Sequence, residues 1–215
     1  MKPLQTIQHV FQQLESYYGD FDWWPNNNPF EVMVGAILVQ NTNWRNVDKA
    51  LANLPSPLEP SQIDDIPLNE LAILIRPSGY YNQKAIKIKA LTTWLRTYHY
   101  DLGAFQHRKR QSLRVELLEI KGVGNETADV ILTYALNKPS FVIDTYARRI
   151  FTQYGLEVPK NYDHFRQLAE QALPSSQHKY GYFHGLMVEH GQQFCNKTPK
   201  CAGCPLESTC AKHLA

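Results

Sequence analysis

Four cysteines crowd the end of this chain as Cys195-x5-Cys201-x2-Cys204-x5-Cys210, and none precedes them. Thiols at such short intervals put four sulfur ligands on one stretch of backbone. That spacing can close a tetrahedral shell around zinc or cap the irons of a cubane cluster. On spacing alone zinc leads. A secreted domain stapled by disulfides would spread its bridges instead, and the start of the chain offers no export signal. Met1 to Val10 contains one lysine and two glutamines, with no apolar core and no small-residue cleavage site.

With the tail committed to a metal, the remaining fold must come from apolar patterning, and the period is helical. Leu4, Ile7, Val10, Phe11 and Leu14 form one stripe over residues 4–18. After an aromatic, turn-rich stretch from Asp22 to Pro29, Phe30 to Val39 reads as a buried helix. Residues 46–54, 67–75, 82–98, 111–119, 125–136, 163–172 and 179–191 read as further helices between Pro, Gly or polar turns. Phe141-Val142-Ile143 is too brief for a sheet, and Asp144-Thr145 opens another helix with Asp144 as its N-cap. The expectation is an all-α chain. No apolar run is long enough to cross a membrane; Val32 to Val39 makes only about two turns.

Net charge is only +2, yet the basic residues are unevenly placed. Between Lys84 and Lys121 nine lysines and arginines face three acids, an excess that suits a phosphate backbone and equally suits a solvated helix face. Within it, Lys121-Gly122-Val123-Gly124 lies between two helices. Glycines let the backbone turn tightly and bring its N–H groups against an anion, with the following helix dipole behind them. Such a turn holds a phosphate without reading sequence, and it also serves as an ordinary helix connection. The helix from Glu126 to about Leu136 advances roughly 15 Å, and an extended return to Ile143 covers a similar distance. Asp144 is therefore expected near the start of the hairpin's second helix, in one cleft with Glu126. A plain N-cap is the alternative for Asp144, and a first-turn acid favoured by the dipole the alternative for Glu126.

Taken together, these residues resemble a known family. Leu118 to Asp129 looks like the helix-hairpin-helix of endonuclease III and its relatives, and Val142-Ile143-Asp144-Thr145 like their catalytic-aspartate segment. Gly79 to Ala85, Leu38 to Thr42 and the cysteine tail match as well, so the resemblance runs in order along nearly the whole chain. It implies a [4Fe-4S] cluster rather than zinc on Cys195, Cys201, Cys204 and Cys210. The first cysteine gap is five residues where the familiar members have six. It also implies two helical domains with DNA in the cleft between them: a six-helix domain over 22–138, and a cluster domain formed by 1–21 with 139–215.

Glu126 stands where endonuclease III carries the lysine that attacks the sugar. A carboxylate forms no imine, so the resemblance implies a monofunctional glycosylase that leaves an abasic site. The adenine glycosylase of A/G mispairs fits less well: Ala36 occupies the place of its acidic residue, and its extra C-terminal domain has no counterpart here. The small 3-methyladenine glycosylases fit better, through Trp23-Trp24-Pro25, Gln40-Asn41-Thr42-Asn43-Trp44 and Gly124-Asn125-Glu126-Thr127-Ala128. Stacked indoles favour a cationic, N-alkylated purine over the neutral base, and its charge already weakens the glycosidic bond. The expectations are Asp144 and Glu126 at the chemistry, and Trp23, Trp24, Pro25 and Trp44 as base pocket or, for the tryptophans, plain core. Gln40, Lys84, Lys121, Gly122, Val123 and Gly124 are expected on DNA. The partner implied is double-stranded DNA with a damaged base, bound by a cytoplasmic, nucleoid-associated monomer. An endonuclease III-like pyrimidine glycosylase with lyase activity, or a non-catalytic damage binder, are the alternatives.

Overall fold

The computed structural model describes residues 2–20, 23 and 28–214, the side chains of 213 and 214 excepted. The described residues form helices and no strand, as the patterning requires. The chain divides into two compact units, Met1–Pro25 with Pro139–Ala215, and Asn26–Lys138.

In the first unit, helix α1 (Pro3–Tyr18) begins at a Pro in its first turn and ends at Gly19. Its stripe of Ile7, Val10, Phe11 and Leu14 is buried among Phe141, Phe151, Phe165 and Phe183. Phe11 and Phe183 meet with ring centroids 4.8 Å apart, and Phe141 and Phe151 approach Phe183 edge-on. Each such ring contributes about 1.5–3 kcal/mol by leaving water. The unit continues with α9 (Thr145–Tyr154), α10 (Tyr162–Ala172) and α11 (Gln177–Gln193); α1 packs on α10 and α11, and α9 on α11.

The second unit is built around α2 (Pro29–Leu38), whose side chains from Val32 to Leu38 are all buried. A helix apolar on every side can only be a central one. Asn28 caps it, accepting from the N–H groups of Phe30 and Glu31 and donating to the Leu58 carbonyl at 2.8 Å. Around it lie α3 (Trp44–Leu51), α6 (Tyr81–Arg96) and α8 (Asn125–Val130). The shorter α4 (Pro60–Asp65) and α5 (Leu68–Leu74) pack on α6, and α7 (Arg110–Glu119) packs on α8.

Two differences from the patterning have local causes. Helix α4 is missing from the sequence reading because it has only six residues, nucleated by Pro60 at its start and a capping box between Glu59 and Gln62. The helix expected over 125–136 changes pitch: from Ile131 to Ala135 it widens into a π-helix, with Leu136 N–H donating to the Ile131 carbonyl at 3.0 Å. Periodicity over so short a run cannot distinguish the two windings.

Candidate functional site

The turn between α7 and α8 is built by Gly122, whose φ of +90° is open to few other residues. A side chain there is excluded twice over, since a Cβ would fall 2.2 Å from Cγ of Lys87 on α6. Val123 is buried and anchors the turn, while Lys121, Gly122, Gly124 and Glu126 are exposed. Gly124 precedes α8 with no side-chain cap. The first N–H groups of α8 therefore emerge beside an exposed lysine, a surface suited to a phosphate oxygen.

Behind the turn, three groups hold it. The Gln40 amide donates to the Gly122 carbonyl (3.2 Å) and to the Thr127 hydroxyl (3.1 Å), and accepts from the Lys87 ammonium at 2.5 Å. Arg114 on α7 grips Asp129 on α8 through Nε (2.9 Å) and Nη2 (3.2 Å), and Nη2 also reaches the Asn125 side-chain oxygen at 3.0 Å. Asp129 is wholly buried and Arg114 nearly so. This bidentate pair clamps the two helices of the hairpin to each other.

Lys84 departs from expectation. It is not a surface cation awaiting phosphate: it is 2% exposed, and its ammonium donates to the carbonyls of Leu38 (2.7 Å) and Ser78 (2.6 Å). Burial, helped by the Lys87 charge, pushes it down to about 8. Its work is to tie the end of α2 to the turn before α6. Spacing could not tell it from the half-buried Lys87 and Lys89 on the same helix, because a buried amine leaves no mark in a charge count.

In the first unit, Asp144 caps α9, its Oδ1 accepting from the Ala147 N–H at 2.7 Å. Its Oδ2 lies 3.6 Å from Nε2 of His184 on α11, and both side chains are nearly buried. The Trp23 indole meets the His184 ring edge-on, with centroids 6.5 Å apart. It comes that close because residue 185 is glycine: a Cβ there would sit 2.5 Å from the indole Cγ. Trp23, His184 and Asp144 thus form one constellation. No sequence spacing singles out His184, whose partner lies forty positions away on another helix. Trp24 and Pro25 lie outside the described residues. Trp44, half-buried at the start of α3, packs on Gly35 of α2.

All four cysteines line one cavity of about 360 Å³, open solvent included, together with Ile150, His190, Phe194 and Leu206. Burial pushes the Cys195 thiol up to about 11, raises Cys204 and holds the His190 imidazole down at about 4. A cationic metal core among the sulfurs would reverse that cost for the thiols. Among the described residues, no three His, Cys, Asp or Glu side chains gather as a single ion's ligands. Four thiols lining one cavity are a donor set that a metal ion or a metal–sulfur cluster could use.

No helix among the described residues is long and apolar enough to cross a membrane. Residues 34–175 match a family described as the HhH-GPD superfamily of base excision DNA repair proteins. A protein of Methanocaldococcus jannaschii, provisionally named a DNA repair glycosylase, is 40% identical over 211 residues, covering 96% of each chain. The structure of an H. pylori 3-methyladenine DNA glycosylase bound to 1,N6-ethenoadenine is 30% identical, with a TM-score of 0.75 over 90% of this chain and 98% of its own. A non-covalent endonuclease III–DNA complex is 25% identical, with a TM-score of 0.83 over 100% and 98% of the two chains.

Proposed function

The chain belongs to the HhH-GPD superfamily of base excision DNA repair proteins, and from that premise we propose a monofunctional DNA glycosylase acting on a flipped N-alkylated purine. One observation carries the reading: a nearly buried carboxylate, Asp144, that caps α9 with one oxygen and lies 3.6 Å from His184, whose ring meets an indole. An exposed acid in place of a nucleophilic lysine, Glu126, argues against strand cleavage through an imine. The similar 3-methyladenine glycosylase favours an alkylated purine over an oxidised pyrimidine.

The hairpin from Lys121 to Gly124 grips the DNA backbone without reading sequence. Trp23 offers an aromatic surface for a cationic base beside Asp144. As the bond from sugar to base lengthens, its electron pair leaves with the base, which departs neutral because it began as a cation. Asp144 stabilises the positive charge left on the sugar and takes a proton from the incoming water, whose oxygen completes an abasic site. Cys195, Cys201, Cys204 and Cys210 would hold a [4Fe-4S] cluster. Its contribution when bound is a charged, rigid core for the C-terminal loop.

The test is base release from methylated duplex DNA by wild type and by Asp144→Asn. Loss of release with retained duplex binding is expected, and equal release by both would refute the assignment. Borohydride should trap no covalent adduct; a trapped adduct would restore the lyase alternative.

A further inference from the structure

Asp144 has two oxygens and a separate contact for each: the Ala147 N–H on Oδ1 at 2.7 Å and the His184 imidazole near Oδ2 at 3.6 Å. One backbone hydrogen bond leaves a carboxylate free to swing about that oxygen. A second anchor fixes the plane of the group. We propose that His184 is a positioning residue for base excision: its Nε2 holds Oδ2 of Asp144, setting the direction in which the carboxylate meets sugar and water. This rests on the reading of Asp144 as the catalytic carboxylate.

Three features support it. His184 and Asp144 are 7% and 10% exposed at the side chain, so water competes little for either group. The imidazole has its own brace in Trp23, whose ring fills the space that Gly185 leaves clear. The separation of 3.6 Å is longer than a hydrogen bond, and a shift of a few tenths of an ångström in either side chain closes it. Catalytic contacts of this kind commonly tighten once substrate is in place.

The test compares His184→Leu, His184→Gln and His184→Asn in the full chain. The readouts are single-turnover base release from duplex DNA treated with dimethyl sulfate, and affinity for an abasic-analogue duplex. The Leu variant keeps bulk without a donor, the Gln amide reaches the position of Nε2, and the Asn amide falls short of it. Release by the Leu and Asn variants should fall about 30-fold, equivalent to about 2 kcal/mol at 1.36 kcal/mol per tenfold. Release by the Gln variant should stay within about fivefold of wild type, and affinity for the abasic duplex within about twofold for all three. Should the Leu variant fail to fold, the Gln and Asn pair decides alone. Equal activity of those two, or a Leu variant as fast as wild type while Asp144→Asn is inactive, would overturn the role of His184 and leave Asp144 standing. An active Asp144→Asn would instead remove the reading beneath it.

Discussion

Asp129→Ala should be among the most damaging single changes in the second unit. The carboxylate is wholly buried and accepts from two nitrogens of Arg114, at 2.9 and 3.2 Å, while the same guanidinium reaches Asn125 at 3.0 Å. Breaking a buried pair from one side costs about 3–5 kcal/mol, because the remaining charge has lost the group that repaid its desolvation. For a chain of this size that corresponds to a drop in melting temperature of about 6–20 °C. Replacing both partners, Arg114→Leu with Asp129→Leu, removes the charge as well as the bond and should recover most of the loss. Urea denaturation of wild type, Arg114→Leu, Asp129→Leu and the double variant gives the coupling energy directly. Hydrogen exchange at residues 122–126 should quicken in Asp129→Ala and less so in the double variant. A single-variant cost below about 1 kcal/mol, or a double variant as unstable as the sum of the singles, would refute the clamp.

Lys84 gives a pH-dependent prediction. Its folded value of about 8 lies below the unfolded value of about 10.4, so between them the unfolded chain binds more protons and stability rises with pH. Below about 8 the penalty is fully present; measured against Lys84→Met, wild type should gain stability from about pH 8 to pH 10.5, and a flat difference would contradict it. Gly122→Ala meets both a positive φ and the Lys87 stem, which should weaken affinity for undamaged duplex by about tenfold or more. Lys87→Ala in the same chain should restore only part, because the φ strain remains; full restoration would mean the clash was everything. Replacing Cys201 by Ala should abolish bound iron and its visible absorption, whereas retention of stoichiometric zinc would argue for a mononuclear site.

Helix α1 was legible because burial imposes a period, and α2 as an unbroken apolar run. The cap at Asp144, and with it the start of α9, was legible as local chemistry between residues three apart. What escaped was set by distant partners. Lys84 and Lys87 are both lysines on α6, yet one is sealed against two carbonyls and the other reaches Gln40. His184 and the clamp of Arg114 with Asp129 were invisible because no spacing rule links residues on different helices. The pitch change after Val130 was hidden too, since five residues are too few to show a period.

Helix α2 has no outward side beyond Pro29 and Glu31 at its first turn. A substitution there consequently has little room: an oversized newcomer has nowhere to go, and a polar one needs a buried partner. Loops and exposed turns, by contrast, can change without disturbing this central rod.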